Sequence, residues 1–326
     1  MEIDSQRLNE ITTVLRNQLE ESVKRNLTEG LLLSGGLDTS ILACLAVRWK
    51  RPACLTVAFE NSPALDLPFA RMAADYLGLD LSIHQFGDAE LREGLHSAIS
   101  ILKTFDPMEV RNSAAAYIAL KIAKIKGLHT VMTGDGGDEL FAGYSFFFNM
   151  TQDRLDAALK AMWAGMNFSS IPLGESLGIE VKAPFLDPEF KPFATAIEPA
   201  WKVHSENGKI WGKWILRKAF EGLLPSSLIW REKAPLEAGT GTSILPQYFA
   251  SRISDGEFRS KQQQIRESDG VRIRDKEQLV YYEVYRKSFG PPEANSTGKK
   301  CPDCGAAVKE SSNFCRTCGA YPLEVI

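Results

Sequence analysis

The chain has 326 residues, of which 44% are hydrophobic and 24% are charged, and its formal net charge is −3. This length can bury one large hydrophobic core or two smaller ones. The small charge excludes a strong overall attraction to nucleic acid or to an anionic membrane. The longest apolar run, 41–47, is too short to span a bilayer, and the first residues lack the blocks of a signal peptide. We therefore expect a cytoplasmic protein with no membrane segment.

Strands and helices are predicted to alternate over the first part of the chain. In order, the predicted elements are a helix at 5–25, a strand at 31–33, a helix at 38–49, a strand at 53–59, a helix at 66–77, a strand at 81–85, helices at 89–102 and 113–126, and a strand at 129–133. This alternation predicts an α/β fold with a mostly parallel sheet and helices on both faces.

The alternation fades from about 150 to 288, where we predict a helical half packed on the sheet. Residues 289–300 are rich in turn formers and poor in apolar side chains, which is typical of a linker. The prediction is therefore a large domain at 1–288, a linker at 289–300 and a small module at 301–326.

A glycine turn follows the first predicted strand, where residues 34–40 read Ser-Gly-Gly-Leu-Asp-Thr-Ser. Backbone N–H groups, a helix N-terminus and hydroxyls at such a turn favour a bound phosphate or pyrophosphate. The turn lacks the lysine spacing of the common P-loop. It resembles the PP-loop of ATP pyrophosphatases, which cut ATP between the α- and β-phosphates. The residues that this resemblance implies in pyrophosphate binding are Ser34, Gly35, Gly36, Asp38, Thr39 and Ser40.

A second glycine turn, at 133–144, holds Asp135, Asp138 and Glu139 within five residues. Carboxylates this close need a cation or a proton, and Mg²⁺ held with ATP phosphates is the obvious candidate. A solvated acidic turn is the alternative. A dinucleotide loop is disfavoured, because Glu139 stands where the third glycine of that motif belongs.

Together the two turns resemble the synthetase domain of glutamine-dependent asparagine synthetases and of the related β-lactam synthetases. Further stretches match the family in order: 104–106 with Arg111, 178–187, 213–220 and 225–233. The resemblance covers roughly residues 10 to 245. It implies that a substrate carboxylate attacks the α-phosphate of MgATP, that pyrophosphate leaves, and that an amine captures the acyl-adenylate.

The resemblance also implies roles for single residues. Asp38 and Asp138 are expected to hold Mg²⁺, and Lys233 to stabilise anionic transition states. Arg111 is a second cation for phosphate or for the substrate carboxylate. Asp135 occupies the family's glutamate position and is expected to position or deprotonate the amine, with a side chain one methylene shorter. The residues expected to border the nucleotide or acyl group are Val57, Thr133 and Gly134.

Two departures from the family concern the substrate. Lys182 replaces a common arginine, so bidentate binding is lost there. The family's D-x-x-R pair is not found, and Asn167, Ser169 and Ser170 lie near its place. Aspartate and another small-molecule carboxylate therefore remain alternatives. Full-length family members begin with a glutaminase domain, whereas this chain reaches the PP-loop after 33 residues. We expect the nitrogen to come from ammonia, another amine or a separate glutaminase subunit.

The last 26 residues hold four of the six cysteines: Cys301, Cys304, Cys315 and Cys318. Two C-x-x-C pairs, each followed by a glycine, predict a structural Zn²⁺ site of the zinc-ribbon type. Disulfides are the alternative, disfavoured in the cytoplasm. We expect the ribbon to dock to a protein or an RNA.

The leading prediction is an ATP-dependent, AMP-forming carbon–nitrogen ligase that uses ATP and Mg²⁺. One alternative is a tRNA-modifying PP-loop enzyme, although Cys44 and Cys54 are not placed for thiolation. Another is an ATP-binding adaptor that docks through its ribbon, which the presence of Asp38, Asp138 and Lys233 disfavours.

Overall fold

The computed structural model describes residues 5–60, 62–293, 299–310 and 312–323. The strands of its central sheet are β1 (Gly30–Leu32), β2 (Ala53–Phe59), β3 (Leu81–Phe86), β4 (Thr130–Met132) and β5 (Glu180–Lys182). They run in the order β3-β2-β1-β4-β5, and all neighbouring pairs are parallel. Helices connect consecutive strands, so the predicted α/β class is confirmed.

The side chains of the inner strands alternate between two helical layers. On β1, Leu31 and the following Leu33 belong to one hydrophobic cluster, whereas Leu32 packs against others. On β4, Met132 and Val131 divide in the same way. Because successive strand residues point to opposite faces of a sheet, helices cover both faces, as the sequence predicts.

Five helices lie close to their predicted places: α1 (Ser5–Arg25), α2 (Leu37–Ala46), α3 (Leu67–Leu77), α4 (Asp88–Leu102) and α5 (Pro107–Ile125). Three more, for which no bounds were predicted, lie between β4 and β5: α6 (Gly137–Leu140), α7 (Gln152–Gly165) and α8 (Ser170–Leu177). Helix α5 begins before the predicted start at Ser113. Asp106 caps it by accepting a hydrogen bond from the Met108 N–H (3.2 Å), and Pro107 suits a first helical turn.

The second half is largely helical, as predicted. Its further helices are α9 (Phe190–Ala196), α10 (Pro199–Lys202), α11 (Trp214–Phe220), α12 (Ser226–Ile229), α13 (Leu236–Thr240), α14 (Leu245–Ala250), α15 (Asp255–Asp269) and α16 (Lys276–Phe289). Among the described residues, no helix is both long and apolar enough to cross a membrane.

The second half also contains strands that the sequence pattern does not reveal. Strand β5 extends the central sheet, and β6 (Val203–Glu206) pairs with β7 (Lys209–Gly212) in an antiparallel hairpin. Near the C-terminus, β8 (Lys299–Lys300) pairs with β9 (Ala307–Val308). Strand β8 occupies the end of the predicted linker, whose residues 294–298 lie outside the described part of the chain.

The chain reverses its direction of travel across the sheet at β1. Strands β2 and β3 extend on one side of β1, and β4 and β5 extend on the other. Ligands in open parallel sheets bind beyond the carboxyl ends of the strands at such a reversal point. The two glycine turns, 34–40 and 133–144, follow β1 and β4. The topology therefore brings both turns to one crevice.

Candidate active site

The two glycine turns pack against each other with no room for a side chain between them. A Cβ on Gly137 would lie 2.6 Å from Cγ of Asp38, and one on Gly134 would lie 3.1 Å from Thr39. In the first turn, Gly35 has a φ of +72° and its α-carbon faces α3, where a Cβ would overlap the backbone of Ala70. A side chain at Gly35 would therefore overlap the backbone of α3, one at Gly137 would displace the Asp38 carboxylate, and one at Gly134 would require Thr39 to shift.

The first turn presents hydroxyls at the N-terminus of α2. The Oγ atoms of Ser34 and Thr39 lie 3.1 Å apart, and the Gly36 N–H donates to Ser34 Oγ (3.1 Å). Ser40 is completely buried, and its Oγ has no hydrogen-bond partner among the described residues. These groups suit the recognition of a phosphate at a helix N-terminus.

Lys213 joins the carboxylates of the two turns. Its Nζ lies 2.5 Å from Asp38 Oδ2 and 2.7 Å from Asp138 Oδ1, and its side chain is only 6% exposed. Lys233 reaches the same Asp138 Oδ1 from the solvent side, at 2.9 Å. Two carboxylates and two ammonium groups thus lie together at the crevice, and their formal charges cancel.

Burial and pairing oppose each other in this cluster. Burial tends to raise the pKa of Asp138, but the ammonium groups of Lys213 and Lys233 outweigh it and lower that pKa. Burial likewise tends to lower the pKa of Lys213, and the attraction of Asp138 and Asp38 raises it. For Asp38, burial together with the neighbouring charge of Asp138 raises the pKa by more than Lys213 and Lys233 lower it. The pair of Asp138 and Lys213 is therefore ionised.

A strained corner holds Lys213 in place. Its backbone has a φ of 54°, which is uncommon for a residue with a side chain, and its N–H donates to the Phe141 carbonyl (2.8 Å). A Cβ on Gly143 would overlap Asp138 Oδ1 and meet the Lys213 side chain. Left-handed backbone costs about 1–2 kcal/mol for such a residue, so the surrounding contacts must hold it there.

Arg217 connects this corner to the segment that carries Lys233. Its guanidinium donates to the carbonyl oxygens of Gly212 (3.0 Å), Ile229 and Arg231 (3.1 Å). It also packs on the rings of Trp211 and Trp230, at 4.8 and 5.9 Å from their centroids. Burial lowers the pKa of Arg217 to about 10, which leaves the side chain charged near neutral pH.

Arg231 holds the first glycine turn from the other side. Its guanidinium donates to the Gly35 carbonyl (3.1 Å) and to Asp66 Oδ1 (2.6 Å), and it lies 3.9 Å from the ring centroid of Phe69. The side chains of Arg231 and Asp66 are 8% and 12% exposed. The pair fixes the turn relative to α3.

An aromatic wall borders Lys233. Its Nζ lies 3.7 Å from the ring centroid of Tyr144, and Tyr144 stacks on Phe146 with an interplanar angle of 9°. The Tyr144 hydroxyl donates to Glu139 Oε1 (2.5 Å), so Glu139 is tied to the wall and not to the lysines. Phe146 is 57% exposed.

Asp135 lies apart from the ionic cluster. Its Oδ2 accepts hydrogen bonds from Thr133 Oγ1 (2.8 Å) and from the Ser170 hydroxyl at the start of α8. Burial raises the pKa of Asp135 by more than these two hydrogen bonds lower it. A carboxylate with a raised pKa is suited to accept a proton near neutral pH.

The structure places two predicted residues elsewhere. Arg111 donates to the Pro107 carbonyl (3.2 Å), and its Nε lies 3.2 Å from Glu277 Oε1 on α16. Val57 is an interior residue of β2, buried in a hydrophobic cluster and paired in register with His84. The predicted roles of Arg111 and Val57 stay predictions.

The four C-terminal cysteines converge. Their sulfur atoms all lie within 4.8 Å of one another, and every cysteine of the group is buried. The Cys301–Cys318 and Cys304–Cys315 sulfur distances are 3.6 and 3.7 Å. Tetrahedral zinc with Zn–S bonds of about 2.3 Å needs sulfur separations of about 3.8 Å, so the donor set fits Zn²⁺.

Comparison with known protein families agrees with this geometry. A family model described as asparagine synthase matches residues 14–170 and 173–300. The chain belongs to the asparagine synthase family.

Curated relatives of this asparagine synthase family member carry related names. A probable glutamine-hydrolysing asparagine synthetase of Dictyostelium discoideum is 32% identical over 303 residues, which cover 83% of this chain and 52% of the relative. Glutamine-hydrolysing asparagine synthetase B of Escherichia coli is 29% identical over 328 residues, covering 91% of this chain and 57% of the relative. The chain spans about half the length of these relatives.

The sequence analysis does not predict several residues of this site. Lys213, Arg217 and Arg231 stand inside stretches that resemble the family, and that position is the signal that could have drawn attention to them. Ser170 lies near the place of the family's D-x-x-R pair, but nothing local indicates its contact with Asp135, and Asp66 carries no local signal for its pairing with Arg231.

Proposed function

We propose that this chain is an ATP-dependent ligase that adenylates a carboxylate, releases pyrophosphate and transfers the acyl group to ammonia or another amine. The observation that carries the proposal is the cluster of Asp38, Asp138, Lys213 and Lys233 at the crevice between the two glycine turns. It unites a phosphate-binding turn with two carboxylates and two cations, which is what stabilisation of a departing pyrophosphate requires.

In this proposal Asp38 and Asp138 hold Mg²⁺. The residues fit the ion, because Asp38 Oδ1 is buried without a hydrogen-bond partner among the described residues and Mg²⁺ prefers carboxylates together with phosphate oxygens. When bound, Mg²⁺ neutralises charge on the phosphates. Ser34, Thr39 and Ser40, with the N–H groups of the turn, bind the pyrophosphate part of ATP.

The two lysines serve different purposes. The side chain of Lys213 is 6% exposed and keeps the two carboxylates together, whereas that of Lys233 is 33% exposed and can reach a ligand. We therefore assign the stabilisation of negative charge at the reacting phosphate to Lys233. Its place on Tyr144 and beside Asp138 orients the ammonium toward the crevice.

Asp135 is the proposed acceptor of a proton from the attacking amine. The hydroxyls of Thr133 and Ser170 orient its carboxylate, and burial raises its pKa. Aspartate is one candidate substrate, and another carboxylate is the alternative, because hydroxyl side chains stand near the place of the family's D-x-x-R pair. Nitrogen can come from ammonia or from a glutaminase.

Zinc at the four cysteines and a cytoplasmic location complete the proposal. Thiolate ligands persist where the surroundings are reducing, which favours the cytoplasm. We retain the division into a ligase domain at 1–288, a linker at 289–300 and a zinc ribbon at 301–326.

The test is pyrophosphate release from MgATP with the purified chain. Aspartate, other carboxylates and tRNA are compared, each with ammonium or glutamine, and the nucleotide product is identified. We expect AMP and pyrophosphate in equal amounts with a carboxylate, and loss of release in Asp138→Asn. Pyrophosphate release with tRNA alone would support base modification. If none of these acceptors supports pyrophosphate release, the ligase proposal is overturned. Glu232→Gln, in an exposed ion pair with Lys209 next to Lys233, is the matched control.

A further inference from the structure

The zinc ribbon shares a hydrophobic core with the ligase domain. The cluster that contains the four cysteines also contains Phe105, which precedes α5, and Tyr282 and Tyr285 of α16. The rings of Tyr282 and Tyr285 lie 5.0 and 5.1 Å from that of Phe105. The described part of the ribbon is therefore packed against its own chain.

The start of α16 and the residues before it bind ribbon carbonyl groups. Arg274 donates to the carbonyl oxygens of Cys318 (2.5 Å) and Gly319 (2.9 Å), and Gln278 Nε2 donates to the same Cys318 oxygen (2.9 Å). The Arg272 N–H donates to the Asp303 carbonyl (2.7 Å). These acceptors lie inside or beside the two C-x-x-C turns, so their positions depend on the fold around the sulfurs.

The segment that leads into α5 is held by the second C-x-x-C turn. The Phe105 N–H donates to the Thr317 carbonyl (2.8 Å), and Thr104 Oγ1 donates to the Arg316 carbonyl (2.7 Å). A side chain at Gly319 would overlap Asp106, the residue that caps α5. The same helix carries Arg111. The ribbon thus fixes the first turn of α5.

Two basic residues in and beside the ribbon make contacts within this chain. Lys299 Nζ donates to the Ser312 carbonyl (2.9 Å), and Arg316 donates to the Gly165 carbonyl at the end of α7 (2.6 Å). Two of the cations that could meet phosphates are thus engaged within this chain.

We propose that the ribbon acts within its own chain, as a zinc-dependent clamp on the 104–106 segment and on the start of α16. A module this small cannot fold on its own core, so we expect zinc to stabilise it together with its contacts to the ligase domain. Without zinc, the carbonyl groups that Thr104, Phe105 and Arg274 contact would lose their fixed positions. The inference rests on the proposed zinc site but not on the proposed ligase reaction.

The experiment is hydrogen–deuterium exchange on the full chain, before and after zinc removal with a thiol reagent and a chelator, with zinc measured by mass spectrometry. We expect one zinc per chain. Its removal should raise amide exchange at least about tenfold in 104–112 and 272–286 and leave α1 unchanged. Unchanged exchange in 104–112 after zinc loss would overturn the clamp, and so would purification without zinc under reducing conditions.

Variants separate the clamp from a general loss of folding. Thr104→Val removes the hydroxyl that donates to the Arg316 and Thr317 carbonyls of the ribbon and accepts from the Asp106 N–H, and it should raise exchange at 104–112 while zinc stays bound. Cys304→Ser should release zinc and reproduce the chelated pattern, whereas Cys54→Ser, a buried cysteine outside the ribbon, should not. If Thr104→Val leaves exchange in this segment at the wild-type rate, the clamp is contradicted. A different pair of results would favour docking of a separate partner. In that case a nucleic acid or protein copurifies only with the zinc-loaded chain, and amide exchange stays at the wild-type rate after zinc is removed.

Discussion

Nζ of Lys213 lies 2.7 Å from Oδ1 of Asp138 and also pairs with Asp38, so this one ammonium group joins the two glycine turns. The ammonium group stands between the carboxylates that we assign to Mg²⁺. The protein therefore carries its own countercharge for these carboxylates. A bound ion must either share the carboxylates with Lys213 or displace it toward the phosphates.

Replacing Lys213 should make stability depend on Mg²⁺. Lys213→Gln leaves Asp38 facing Asp138 without the buried ammonium, and breaking a buried ion pair costs about 3–5 kcal/mol of unfolding free energy. Mg²⁺ should restore part of this loss, because a ligand that binds the folded state stabilises it. Denaturant unfolding with EDTA or with Mg²⁺ measures both effects.

The matched control is Lys209→Gln, which removes a lysine from an exposed ion pair with Glu232. Exposed pairs contribute about 0–1 kcal/mol, so this variant should unfold like the wild type with either additive. Equal Mg²⁺ dependence in Lys213→Gln and the wild type would contradict an ion site at Asp38 and Asp138.

Arg231 should control ATP binding through the first glycine turn. Arg231→Lys keeps a cation near Asp66 but loses the planar guanidinium, which donates through one nitrogen to the Asp66 carboxylate and through another to the Gly35 carbonyl. Hydrogen bonds to charged groups contribute about 1.5–3 kcal/mol, so KM for ATP should rise about tenfold or more. Steady-state pyrophosphate release against ATP concentration measures this. Arg48→Lys, in an exposed pair with Glu20, is the control, and an ATP KM equal to that of the control would refute the assignment.

Ser170 should tune Asp135. The hydrogen bond from Ser170 lowers the pKa of Asp135 against the effect of burial, so Ser170→Ala should raise that pKa further. If Asp135 must be ionised to accept a proton, activity is lost as the pH falls through its pKa. The acidic limb of the pH–rate profile should then move up by about one pH unit.

Ser176→Ala is the control for this change, because its hydroxyl donates to the Leu173 carbonyl within the same helix. Its acidic limb should match that of the wild type. A limb in Ser170→Ala that also stays in place would show that Asp135 is not the group that titrates.

The sequence predicts the framework of this site better than its ionic contacts. The alternation of strands and helices indicates a parallel sheet, and both glycine turns lie at strand ends, so their meeting follows from topology. The contact between Lys213 and Asp38 joins residues 175 positions apart, which no local pattern reveals. Strand β5 escapes prediction because its three residues, Glu180–Lys182, include two charged side chains.

The contacts of Arg111 show a second limit of prediction from sequence motifs. Its motif predicts a cation for phosphate or the substrate carboxylate, whereas the structure pairs it with Glu277, a buried residue of α16 that lies outside the motif stretches but within the part of the chain that the family model matches. The ribbon likewise looks independent in sequence, because its cysteine spacing says nothing about Thr104 or Arg274. Tertiary contacts decide both cases.

Glu277 should make stability fall as the pH rises. Burial raises its pKa from 4.5 to about 7, although Arg111 and the Tyr281 hydroxyl favour the charged form and Asp275 and Asp106 oppose it. The folded state therefore holds a proton that the unfolded state has lost between pH 4.5 and about 7. The contribution of Glu277 to stability is greatest below this window and decreases through it, by up to about 3 kcal/mol.

Glu277→Gln has no proton to lose, so its unfolding free energy should decline less between pH 4.5 and 7 than that of the wild type. Loss of the ion pair with Arg111 lowers the stability of the variant at every pH. The informative quantity is therefore the slope of unfolding free energy against pH, obtained from denaturant unfolding at each pH. Asp106, whose pKa burial raises to about 6, keeps part of the slope in the variant. Glu283→Gln, at an exposed position of the same helix, is the control. Parallel curves for Glu277→Gln and the wild type would mean that Arg111 keeps Glu277 ionised throughout the window.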